Sequence, residues 1–208
     1  MLINLLYLKE KFNLSLNSII HVGAHNCQEL PSYLECGAKK IYWVEANSEL
    51  VKESIGKIDT DVNKVIEAVI SECDGKEVSF NIANNSQSSS LLDLGIHEKL
   101  FPDISYVRKE SRITTKLDTI YKIHCNEKVI DLLNLDIQGA ELLALKGFKQ
   151  NLNRVRAIYT EINTKKVYKN CALVEDLDDF LIDFDFERLE TKMWLDHPWG
   201  DAFYLRRD

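Results

Sequence analysis

Five short apolar runs, alternating with helix-like stretches, constrain this chain more than any other feature. They are "IIHVGA" (Ile19–Ala24), "KIYWVEA" (Lys40–Ala46), "NKVIEAVIS" (Asn63–Ser71), "VIDLLNLDI" (Val129–Ile137) and "VRAIYTEIN" (Val155–Asn163). Runs this short and this continuously apolar read as strands buried on both faces. Helical patterns follow most of them. One ends at Gly37, with Pro31 in its first turn, where a missing N–H does no harm. "SELVKESIGKI" has Ser48 near its N-cap, "GAELLALKGF" stops at Gly147, and "LVEDLDDFLIDF" is the last. Such alternation predicts a mostly parallel sheet with right-handed crossovers and helices on both faces. The tail, "FERLETKMWLDHPWGDAFYLRR", reads as two strands around a short loop. So short a connection cannot join parallel neighbours, so the last strand runs antiparallel. The expected fold is α/β: a doubly wound, Rossmann-like sheet, mostly parallel, with an antiparallel C-terminal hairpin.

The alternation breaks once, over residues 72–128. "DGKEVSFNIAN" has period-two apolarity after an Asp-Gly turn, and the serine-rich "NNSQSSSLLDLG" follows. An excursion of this length is usually functional, and it is expected to cover the cleft as an insertion in a single domain of 208 residues. The opening "MLINLLYLKEKFNLSL" lacks a basic n-region and a cleavage site, so it reads as a short packed helix. No stretch approaches the roughly 20 apolar residues of a membrane span. The formal net charge of −7 gives no basic footprint, so no nucleic-acid partner is expected. Five cysteines without a CxxC pair suggest reduced thiols and a cytoplasmic protein. No metal-ligand spacing such as H-E-x-x-H occurs, so a divalent metal is possible but not indicated.

In such sheets ligands bind beyond the carboxyl ends of the strands. The loop after the first strand is therefore the expected cradle. Gly23 lets backbone approach a ligand, small Ala24 keeps the approach open, and His25 lies in the same loop. Glu45 ends the second strand 22 positions after Gly23, close to the spacing at which an acid grips a ribose diol. Ala46 follows it on the cofactor side. The loop lacks the glycines that would bare backbone N–H groups to a pyrophosphate. It suits S-adenosylmethionine (SAM), which carries no phosphate, better than a dinucleotide. On these residues alone a plain strand–turn–helix with a solvated glutamate fits equally well.

"LLNLDIQGAELLALKGF" (Leu132–Phe148) resembles the strongest motif of the FkbM family of methyltransferases, a strand ending in D-x-E-G-A-E followed by L-x-x-L-x-G. "IIHVGAHNCQELPSYLECGAKKIYWVEAN" is similar to the family's cofactor loop and ribose-binding strand, "SSSLL" to its serine-rich motif, and "TTKLDTI", "AIYTEIN" and "WGDAFYL" to later segments. The resemblance runs from about Ser18 to Leu205. It implies a class I, SAM-dependent methyltransferase, acting on a sugar, a glycan or another small hydroxylated metabolite. Three positions depart from the pattern: His21 stands for an acid, Cys27 for a glycine, and Gln138 for the glutamate of D-x-E-G.

Asp136 ends the fourth strand and faces the cleft, where it can orient a substrate hydroxyl, act as base or pair with the cofactor's amino group; otherwise it caps the next helix. Glu161 ends the fifth strand, where an unpaired carboxylate is costly, so it is catalytic or hydrogen-bonded. His197 leaves the sixth strand on the cofactor side and is a candidate general base, or equally a loop histidine resting on Trp199. Gln138, Ser88, Ser89 and Ser90 are candidate substrate contacts, since amides and hydroxyls suit a polyol. Glu141 reads as a structural first-turn acid, His21 as a core residue, and His97 as a surface residue. The alternative function is a degenerate methyltransferase fold that binds or assembles without catalysis, suggested by Cys27 and Gln138.

Overall fold

The computed structural model describes residues 1–58, 60–125 and 127–207. Helix α1 (Leu5–Lys11) opens the chain, its Asn4 side chain accepting from the Tyr7 N–H. Strand β1 (Ser18–Val22), α2 (Leu30–Glu35), β2 (Lys40–Glu45), α3 (Ser48–Ile58) and β3 (Asn63–Glu67) then alternate. The excursion follows as β4 (Val69–Ile70), β5 (Glu77–Ala83), α4 (His97–Leu100), β6 (Tyr106–Thr115) and α5 (Leu117–His124). Alternation resumes with β7 (Ile130–Leu135), α6 (Glu141–Lys146), β8 (Val155–Asn163), α7 (Val174–Ile182), β9 (Phe186–Met193) and β10 (Trp199–Arg206).

The main sheet has the order β3-β2-β1-β7-β8-β10-β9. β10 alone runs antiparallel, lying between β8 and β9. The expected parallel sheet with an antiparallel closing strand is therefore present. β1 is buried at every position because both faces are covered. Ile19 packs with Leu132, Ala157 and Phe203 on one side. Ile20 and Val22 pack with Leu133, Leu135 and Ile158 on the other. Leu5 and Leu8 of α1 join the first of these layers.

One expected element divides. The run 63–71 splits at Ala68, whose N–H goes to the Glu45 carbonyl. Beyond it, β4 leaves the main sheet and pairs in parallel with β6, while β5 pairs antiparallel with β6. This small second sheet anchors the excursion, and the 84–105 connection between β5 and β6 lies over the open ends of the main strands. Among the described residues no helix is long and apolar enough to cross a membrane.

Candidate active site

Backbone builds the first wall. The Gly23 and Ala24 N–H groups both donate to the Val44 carbonyl, at 2.9 and 3.1 Å, and the Asp136 N–H donates to Val22 O at 3.0 Å. The first loop thus crosses directly over the end of β7. Gly23 holds φ +86°, and a Cβ built there would lie 1.7 Å from the Asp136 carbonyl oxygen. Only glycine fits this crossing. Cys27 holds φ +57°, which explains why glycine suits that position. Its thiol is buried in the core behind the loop, and burial pushes it up to about 12. A left-handed non-glycine residue costs about 1–2 kcal/mol, and a buried thiol returns roughly 1 kcal/mol. The two nearly cancel, and Cys27 does not line the cleft.

Glu45 joins two loops. Its Oε2 accepts from the His25 N–H and its Oε1 from the Asn47 N–H, both at 2.7 Å. Burial holds the carboxyl above its ordinary range, against the pull of those N–H donors. Beside it, Ala46, Val69, Phe80 and Leu91 form an apolar slot. A carboxylate next to an apolar slot is what a nucleoside requires: ribose hydroxyls on the acid, a flat base against the slot.

The floor of the other half is a carboxylate pair bridged by one amide. Gln138 Nε2 donates to Asp136 Oδ1 at 2.8 Å and to Glu161 Oε2 at 3.0 Å. Its Oε1 accepts from the Tyr168 hydroxyl at 2.6 Å. Tyr168 has one proton to give, so the amide orientation is fixed. Asp136 opens into the cavity at the carboxyl end of the central strand β7. Desolvation raises its carboxyl, with the Asp201 charge adding to this and the Gln138 N–H opposing it. Glu161 is raised well above the ordinary range by burial, then by Asp136, Glu141 and Asp201. Glu141 takes the capping work that Asp136 was a candidate for. Its Oε1 accepts from the Ile137 and Gly139 N–H groups at 3.0 and 3.1 Å, and burial pushes it up to about 7. Asp201 pairs with Glu161 across β8 and β10 and accepts from the Tyr159 hydroxyl.

His21 is satisfied in the core, as expected. Asn134 Nδ2 donates to the Tyr33 hydroxyl at 2.6 Å, so the Tyr33 proton goes to His21 Nδ1 at 3.0 Å. Burial lowers its pKa to about 4, leaving a neutral ring with its proton on Nε2.

The 84–105 connection forms the roof, and two hydrogen bonds fasten it. His25 Nε2 meets Ser86 Oγ at 2.8 Å, and Ser90 Oγ donates to the Gln138 carbonyl at 2.8 Å. The serine candidates divide accordingly. Ser88 and Ser89 face the cavity, but their hydroxyls accept from Asn85 Nδ2 and the Ala83 N–H. Ser90 does not line the cavity at all; it holds the roof to the β7 turn.

Two histidine assignments change. His197 does not reach the cavity. Its ring stacks on Trp199 at 4.3 Å and Phe101 at 5.4 Å, so those two rings, with Trp194, form the wall and His197 lies behind it. His97, read as a surface residue, is 5% exposed and lines the cavity, packed on Phe101 and Tyr168. The i,i+4 spacing of His97 and Phe101 was the available signal, since it places both on one face of a helical turn. Tyr168 and Asp201 were also missed. The cavity measures about 410 Å³, the scale of a small-molecule site. Among the described residues, no group of three or more histidines, cysteines or carboxylates is arranged to hold a metal ion.

The Methyltransferase FkbM domain matches residues 21–188. Among curated proteins, 2-O-methyltransferase NoeI of Sinorhizobium fredii is 24% identical over 181 residues, covering 80% of this chain and 72% of its own. Among solved structures, magnesium protoporphyrin IX methyltransferase (ChlM) from Synechocystis PCC 6803, with SAH bound, superposes with TM-score 0.56 at 11% identity, covering 97% of this chain and 79% of that one. The methyltransferase domain of bacterial CtHen1-C superposes with TM-score 0.51 at 8% identity, over 97% and 94% of the two chains. The fold is that of class I methyltransferases.

Proposed function

The chain belongs to the FkbM methyltransferase family, and from that premise we propose that it O-methylates a sugar, a glycan or another small hydroxylated acceptor, with SAM as donor. One observation carries the reading: the Asp136–Gln138–Glu161 bridge lies in the same cavity as the Gly23 and Glu45 cradle. The residues present fit SAM. Gly23 and Ala24 keep the loop close, Glu45 has lone pairs left for ribose hydroxyls, and the slot around Val69 and Phe80 takes an adenine. Bound there, SAM supplies a methyl group on a sulfonium, open to in-line displacement.

The protein's task is then to aim and deprotonate an oxygen. A sugar hydroxyl is a weak nucleophile at neutral pH, and a positioned base speeds its attack by about 10²–10⁴. Asp136 and Glu161 lie close enough to share one amide, so their titration belongs to the pair. With one proton on the pair, the remaining carboxylate accepts the hydroxyl proton as the oxygen–carbon bond forms. Glu161, the more strongly raised of the two, holds it. Gln138 keeps both carboxylates in place without adding charge. The 2-O-methyltransferase name of the curated relative also favours a hydroxyl acceptor.

Glu45→Ala tests the cofactor half. It removes the ribose acceptor and strands the His25 and Asn47 N–H groups. Calorimetry should show SAM binding weakened by about 1–2 kcal/mol, and the melting temperature should fall as well. Unchanged SAM affinity in the folded variant would remove Glu45 from the cofactor site.

A further inference from the structure

The walls of the cavity have a one-sided charge. Five carboxylates line it: Glu29, Glu45, Asp136, Glu161 and Asp201. Among the described residues no lysine or arginine does, and the opposing charge is the Met1 amino group near Asp136. Bound SAM brings two positive groups and one negative, a net charge of one, which leaves most of this acidity unmatched. The surplus lies in the acceptor half. There Asp136 Oδ2 and Glu161 Oε1 receive no hydrogen bond from any described residue, so both oxygens remain free to meet the acceptor. Above it stand the rings of Tyr168, Phe101, Trp199 and Trp194. Aromatic faces take the C–H face of a sugar ring and attract cations.

We propose, building on the methyltransferase reading above, that the acceptor is a hydroxylated ring without a phosphate, bound more tightly when the ring bears an amine. Hydroxyl and ammonium groups donate to the floor, and an ammonium also neutralises it. A phosphate on the same ring lies within one ring's width of the reacting hydroxyl. Five carboxylates outnumber the single amino group of Met1 in the lining, so a phosphate there meets net repulsion. A place in a reaction sequence follows. A sugar activated as a nucleoside diphosphate must first undergo glycosyl transfer. That step forms the glycosidic bond and breaks the bond to the diphosphate, which leaves with the nucleotide. Methylation then acts on the product.

The test titrates SAH-loaded protein with three matched rings: methyl glucosaminide, methyl glucoside, and the anomeric phosphate of glucose. The expected order is amine, neutral ring, phosphate, with about ten-fold or more between first and last. The double variant Asp136→Asn/Glu161→Gln, checked for SAH binding, should narrow that gap, and Asp201→Asn gives a second reading of the same acidic lining. Phosphate binding as tight as the others overturns the proposal. So does a gap unchanged in both variants, or no binding of any ring to protein that holds SAH. Failure to bind SAH itself would instead sink the methyltransferase reading.

Discussion

Gly23→Ala is expected to abolish cofactor binding and to destabilise the fold by more than about 3 kcal/mol. Two penalties coincide. The residue sits at φ +86°, and the added carbon would overlap the Asp136 carbonyl, 1.7 Å from its oxygen and 2.6 Å from its carbon. Neither atom can yield cheaply, because both are backbone at the end of a central strand whose next N–H is bonded to Val22. The loop must lift, and the cradle opens with it. Gly56→Ala is the matched control. A Cβ there meets nothing within 4 Å, and alanine in a helix gains about 0.5–1 kcal/mol over glycine. Thermal melts and SAM calorimetry on both variants decide the point. A Gly23→Ala protein that melts and binds like wild type would show that the two strands do not meet as described.

Asp136→Asn should lower turnover by about 10²–10⁴ and leave SAM affinity nearly unchanged, because the lost proton transfer matters in the transition state. The pH dependence gives the sharper check. Asp136 and Glu161 are both raised, by desolvation first. A carboxylate base works when ionised, so activity should rise with pH through the pair's apparent values. The acid limb should lie above the ordinary carboxylate values of about 4. Stability runs the other way. A raised carboxyl favours the fold while protonated, a contribution complete below its unfolded value and lost as pH climbs through the folded one. Activity should therefore appear across the window in which stability falls. Gln138→Glu deletes two N–H donors and adds a third carboxyl, so it should push the acid limb higher still. A limb that stays in place in Gln138→Glu, with turnover preserved in Asp136→Asn, would remove the pair as the base.

The sheet, its strand ends and the Gly23 loop were legible because each leaves a local mark: an apolar run, a breaking glycine, an acid at a strand terminus. Glu45 and Asp136 could be placed for that reason. The bridge at Gln138 could not be, since it needs Tyr168, thirty residues on. Asp201 comes opposite Glu161 only through the register of β10 on β8. Of the two readings of His197 the stack on Trp199 holds, and the sequence could not choose between them for a related reason. Its loop does reach the cavity side, but residue order does not say which ring of Trp194, His197 and Trp199 turns inward. His97 reads as a surface residue because its four-residue helix leaves the single i,i+4 pair with Phe101 as its signal.

The position of β10 also has a consequence for how the protein is made. It is synthesised after β9 yet lies between β9 and β8. On the ribosome, β9 therefore has no sheet edge to dock on until β10 has emerged, and the exposed rim of β8 waits with it. The cradle around Gly23, Glu45 and Asp136 depends on strands already present by then. The wall carrying Trp199 and Asp201 does not. During translation the donor half can be complete while one wall of the acceptor half is still missing.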